Sequence, residues 1–110
     1  MIDWNRITNL IDEIGAEDFD EVVELFIEEV DEVIARLHST ADIVTLEADM
    51  HLLKGCALNL GFSTFAQKCQ NGETMAASGK SEDVDIIDVL ECYSASKKSF
   101  VDGLPAALAA

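Results

Sequence analysis

Chain breakers are scarce in this sequence: one proline, Pro105, and six glycines in 110 residues, with aromatic side chains at only 6%. Nor does any segment alternate polar and apolar residues as a half-buried strand does, and there is no internal repeat or low-complexity tract. Helices joined by short loops are what remains. Cations are scarce too, with 7 Lys and Arg against 22 Asp and Glu and a net charge of −15, a balance that repels phosphate backbones and anionic lipids. Nucleic acid and membrane surfaces are therefore not expected as partners. No apolar run approaches the ~20 residues of a membrane span, and the first residues lack the basic and apolar pattern of a signal peptide. A cytoplasmic protein is expected.

The three cysteines, Cys56, Cys69 and Cys92, are too few and too scattered for a disulfide framework or a CxxC pair. They read first as small buried hydrophobes, with a redox role a distant second. Also missing are a GxGxxG turn, a Walker lysine loop, a kinase signature, a GxSxG elbow and a Cys–His pair, so an enzyme is not expected. A metal site in a helical bundle needs Glu-x-x-His pairs on two helices. Glu47 and His51 are one turn apart, but no second pair exists, and no metal or cofactor is expected.

What the chain does have is 49% hydrophobic residues, enough to override the charge and fold. At this length one domain over 1–110 is expected, with a modest core. Asp3 is a candidate N-cap for a short helix to Ile14 with Ile7, Leu10, Ile11 and Ile14 on one face, ended by Gly15. From Asp18 to His38, Phe19, Val22, Val23, Phe26, Val30, Val33, Ile34 and Leu37 recur at three- and four-residue spacing. His38, near the end of this helix, reads as a surface residue. After a turn at Ser39–Asp42, with Asp42 as candidate N-cap, a third helix runs to Leu60. Its core stripe is Leu46, Met50, Leu53, Ala57 and Leu60. Thr64-x-x-Gln67 fits a capping box for a fourth helix through Ser78, with Phe62, Phe65, Ala66, Cys69 and Ala76 on its inner side. A last helix is expected over Asp83–Asp102, on the line Ile86, Leu90, Tyr93, Lys97 and Phe100 widened by Ile87, Val89 and Val101. Gly103 and Pro105 should end it and leave Ala106–Ala110 frayed. The expected fold is all-α, an antiparallel up-down four-helix bundle with a short additional N-terminal helix.

The chemistry concentrates on the third helix. His51 lies about 100° round from Met50, beside the core stripe, so its imidazole should reach solvent. Lys54 and Gly55 flank it on the next turn. Glycine inside a helix costs about 0.5–1 kcal/mol relative to alanine. A bared histidine with a cation and a clearance beside it suits the carrying of a phosphoryl group delivered by another protein. A surface histidine, with the glycine packed against another helix, accounts for the same spacing equally well.

His51-x-Leu53-Lys54-Gly55-x-Ala57-x-Asn59-Leu60-Gly61 resembles the signature of histidine phosphotransfer (HPt) domains, the phosphocarriers of multistep two-component relays. The pattern through Gly15, Phe19 and Val22 to Leu37 is similar to the family's first long helix, and the similarity thins after residue 79. Leu58 stands where the family tends to place a small residue. The resemblance implies that His51 is phosphorylated through Nε2 by the aspartyl phosphate of a response-regulator receiver domain, which supplies Mg²⁺. Lys54 then neutralises the phosphoryl group and Gly55 admits the receiver's loops. Glu73 lies near a position where the family often has a glutamine that bonds the imidazole, and here could accept from Nδ1–H; a solvated acid is the other reading. The implied partners are receiver domains and a hybrid histidine kinase, the implied state a monomer, and the implied activity that of a relay substrate and not a kinase. The rival reading is a non-phosphorylated helical adaptor that only docks receivers.

Overall fold

The computed structural model of the protein describes residues 1–39 and 42–109. Five helices form: α1 (Trp4–Ile14), α2 (Ala16–Ser39), α3 (Leu46–Leu60), α4 (Ser63–Ala77) and α5 (Ile86–Ala109), with a short 3-10 turn at Ser81–Asp83 before α5. No strand is present among the described residues, which hold a single isolated bridge between Ile2 and Phe62.

Local signals at the start of the chain act as the sequence predicts. The Asp3 carboxylate accepts from the Arg6 amide at 3.2 Å, and Gly15, at φ 85°, is the one residue between α1 and α2. Every residue of the α3 stripe is buried, with Met50, Leu53 and Leu60 wholly so. Burial of such a side chain contributes about 1.5–3 kcal/mol. The stripe thus outweighs the ~1 kcal/mol that Gly55 costs the helix, and α3 is held by its docking. Phe62, at the turn into α4, packs tilted against Phe100 with ring centroids 5.4 Å apart, and the Phe65 ring lies 5.2 Å from that of Tyr93. All three cysteines are free and buried, and burial pushes the Cys69 thiol up to about 12.

Several boundaries differ from expectation. The third helix starts at Leu46, not after Asp42, because the Asp42 side chain accepts from the Val44 amide and folds a turn of its own. The rest of the expected Ser39–Asp42 turn, Thr40 and Ala41, lies outside the described residues. The Thr64–Gln67 capping box does not form. Residue 1 takes that place: its carbonyl accepts from the Thr64 amide and the Ser63 hydroxyl, while Gln67 donates to Asn71. Ala76 is only half-buried, and Gly72 holds the inner position instead, where a Cβ would lie 3.0 Å from the Met50 sulfur.

The largest correction concerns α5. It begins at Ile86 and runs through Gly103 and Pro105 to Ala109, and the only tail residue outside the described range is Ala110. Gly103 is an approach point and not a stop. A Cβ there would sit 2.4 Å from the Trp4 ring, which stacks nearly parallel on Phe100. Pro105 lacks the amide that would meet the carbonyl of Val101, an exposed residue whose backbone water can serve. Ile87 and Val101, expected to widen the core face, are 68% and 58% exposed.

One buried acid supports the entry to α3. Asp49 receives both terminal nitrogens of Arg36, at 3.0 and 2.7 Å, and the Thr45 hydroxyl at 3.1 Å. The Arg36 guanidinium, aided by Thr45, holds its carboxyl below the usual range although burial opposes this. Asp49→Asn is expected to cost about 2 kcal/mol, less than the ~3–5 kcal/mol of breaking a fully buried pair because Arg36 is half exposed. That is roughly 10 °C in Tm for a domain of this size, read by thermal unfolding at pH 7. A carboxyl whose pKa is depressed by folding stabilises the fold above its unfolded pKa and ceases to as pH falls through the folded value. The gap between parent and variant should therefore be constant from pH 5 to 8 and close at more acid pH.

Candidate functional site

His51 falls on the second turn of α3, and its side chain is 69% exposed, as its phase beside Met50 requires. Glu73, on α4, faces it across the helix pair. Imidazole Nδ1 lies 2.9 Å from Glu73 Oε2. An ionised carboxylate can only accept, so this bond puts the proton on Nδ1 and leaves the Nε2 lone pair free. In the neutral ring Nε2 is then the nitrogen able to act as a nucleophile.

The other Glu73 oxygen, Oε1, accepts from Lys54 Nζ at 2.7 Å. Lys54 also donates to Gln70 Oε1 at 2.9 Å and is only 21% exposed. The ammonium is thus drawn onto α4 and does not stand free beside the ring. Its bond, and secondarily that of His51, keeps the Glu73 carboxyl below the ordinary range despite partial burial. Glu73 is not merely a solvated acid: it holds both residues the α3 motif supplies.

Gly55 meets nothing. A Cβ built on it would find no atom within 4 Å outside its own helix, so packing against another helix does not explain it. Its carbonyl accepts from the Asn59 side chain at 3.0 Å. The structure therefore brings His51, Lys54 and Glu73 into one hydrogen-bonded set and leaves Gly55 as bare helix surface one turn on. Gln70 was missed from sequence. Its signal is its position three residues before Glu73, on the same face of α4. Among the described residues no group of three or more metal-ligating side chains converges.

Exposed apolar residues lie on α3 and just before it, and one of them, Val44, lines the same hollow as His51 and Glu73. Val44 is 87% exposed, and Ile43, Leu52 and Leu58 are exposed as well. Leu58 follows His51 by seven residues, two turns along the same face, about 10 Å down the helix. Among the described residues no helix is long and apolar enough to cross a membrane.

Compared with known proteins, the chain matches no curated protein and no solved structure. It does match the family model of the Hpt domain over residues 21–108, from the second turn of α2 to the end of α5. The match takes in His51, Lys54, Gly55, Gln70 and Glu73, and the chain belongs to the Hpt domain family, the histidine phosphotransfer domains of two-component signalling.

Proposed function

We propose that this protein is a phosphocarrier that accepts a phosphoryl group on His51 Nε2 from a receiver-domain aspartate and passes it to another response regulator. One observation carries the reading: an exposed imidazole whose Nδ1 is engaged by Glu73 and whose Nε2 is open. Phosphoryl transfer depends on positioning and charge neutralisation more than on covalent help. The exposed imidazole, the cation one turn on and the bare Gly55 surface supply the carrier's share, while Mg²⁺ and the acidic pocket are the receiver's. The exposed apolar residues of this region, Val44 beside His51 among them, support docking of a receiver, or of the receiver of a hybrid histidine kinase. Up-down bundle order is supported by the pairings of Arg36 with Asp49 and of Glu29 with Cys56 along α2 and α3, and of Lys54 with Gln70 and His51 with Glu73 along α3 and α4. A soluble monomer in the cytoplasm fits the net charge of −15.

Mixing the protein with a receiver loaded from acetyl phosphate tests the proposal. Phosphate that appears on the protein and is lost in acid but kept in base identifies phosphohistidine. A protein that binds the loaded receiver and never becomes labelled is an adaptor, and the carrier reading fails.

Lys54 separates charge from scaffolding. Lys54→Ala is expected to slow phosphorylation of His51 about tenfold, equivalent to ~1.4 kcal/mol in the barrier, with partial recovery in Lys54→Arg. Since Lys54 also bridges α3 to Glu73 and Gln70, melting temperature is measured on the same variants. A loss of Tm that salt restores, with the transfer rate unaltered, assigns Lys54 to relief of repulsion alone.

A further inference from the structure

Glu73 is a single carboxylate divided between a cation and a ring, with Oε2 on His51 Nδ1 at 2.9 Å and Oε1 on Lys54 Nζ at 2.7 Å. Resting on the carrier reading above, we infer that phosphorylation ends this division: Lys54 moves from Glu73 to the phosphoryl oxygens, and Glu73, left to the ring alone, sets how long the phosphohistidine lasts.

In the transfer step the Nε2 lone pair forms the N–P bond while the P–O bond to the donor aspartate breaks. The bonding pair leaves on the aspartate carboxylate. No proton is released from Nδ1, so the imidazole becomes an imidazolium carrying the phosphoryl group on one nitrogen and hydrogen on the other. Two changes follow on this site. The ring gains positive charge against Glu73 Oε2, and the phosphoryl oxygens compete with Oε1 for the only ammonium in the set. Lys54 is a point charge on a flexible stem with three donors, and Gln70 can retain one of them during the exchange.

The consequence for lifetime follows from the leaving group. With Nδ1 protonated, N–P cleavage releases a neutral imidazole; with Nδ1 deprotonated it must release an imidazolate, which is far less favourable. A carboxylate at Nδ1 favours the protonated ring, whereas an amide in its place brings no charge. The other groups facing the ring are Glu47, one turn earlier on α3 and beside the same hollow as His51 and Glu73, and Lys54 itself. Glu47 adds to the effect of Glu73, and the departure of Lys54 to the phosphoryl group removes the opposing charge. The phosphohistidine of this chain is therefore poised to be passed on or lost at neutral pH.

The test follows the decay of phosphohistidine against pH in the full chain, loaded from phosphoramidate with no receiver present. Glu73→Gln is expected to fold and to become phosphorylated. The pH of half-maximal hydrolysis should move down by about one unit and the lifetime at pH 8 should lengthen about tenfold, the effect of one nearby opposite charge on a titrating group. Glu73→Asp should restore part of the parent profile. In the unphosphorylated protein, ¹⁵N shifts of the His51 ring should show hydrogen on Nδ1 in the parent and a loss of that preference in Glu73→Gln. An unchanged pH profile in Glu73→Gln overturns the inference while the carrier reading stands. Failure of the parent to take phosphate from phosphoramidate or from a loaded receiver overturns both.

Discussion

His51→Gln is expected to fold as the parent does and to take up no phosphoryl group at all. The first half rests on exposure. The imidazole is 69% exposed and touches the rest of the protein through its one bond to Glu73. An exposed residue outside the core is replaced within about 0.5 kcal/mol, and the melting temperature should move by no more than about 4 °C. The second half rests on chemistry. A glutamine amide has no free nitrogen lone pair to attack phosphorus, and His38, the other histidine, is exposed at the end of α2 without the Lys54–Glu73 arrangement. Circular dichroism and phosphate incorporation from a loaded receiver on the same preparation read both halves. Residual acid-labile phosphate in the variant would place the acceptor elsewhere. Loss of the folded signal would mean that the ring carries structural load despite its exposure.

Gly55→Gln should separate stability from transfer in the opposite way. The position is helical and its Cβ direction is open, so a side chain adds the ~0.5–1 kcal/mol of helix propensity that glycine forgoes and strains nothing. Tm should hold or rise by a few degrees. Transfer from a receiver should nonetheless fall at least tenfold, because a glutamine there stands on the surface that the receiver must approach, one turn from the reacting nitrogen. A misplacement of about 1 Å is enough to cost a hundredfold in a reaction that depends on alignment. Loading from phosphoramidate, which needs no protein to approach, should remain near the parent rate. Transfer from the receiver at an unchanged rate would leave Gly55 without a role in clearance.

What the sequence makes legible here is what the helix period controls. The phase that buries Leu46, Met50, Leu53, Ala57 and Leu60 also fixes His51 outside the core, and both are as expected. The site across from it was partly legible. Glu73 could be named from resemblance, but its grip on Lys54 depends on how α3 and α4 meet, and Gln70 has no signal until the two are side by side. The misread boundaries have a common cause. Gly103, Pro105, Asp42 and Thr64 each carry a local instruction that a distant or competing contact overrules. Trp4 fits against Gly103, the Val44 amide claims the Asp42 carboxylate, and the carbonyl of residue 1 claims the Thr64 amide. Ile87 and Val101 show the converse, since apolar character at the flank of a stripe does not oblige burial.

The seam between α1 and the rest bears on how this fold can be cut and joined. The family match opens at residue 21, inside α2, and leaves out all of α1. Yet Ile7, Leu10 and Phe19 are buried with the others, Trp4 covers Phe100, and the Asp3 amide donates to the carbonyl of Gly61 at the very end of the histidine helix. A chimera that grafts only the matched span onto a kinase would lose the first turn of α2 and open the aromatic layer to water. It would also untie the last turn of the histidine helix. The transplantable unit of this protein is set by what its N-terminal residues cover, and it begins upstream of the boundary that sequence likeness draws.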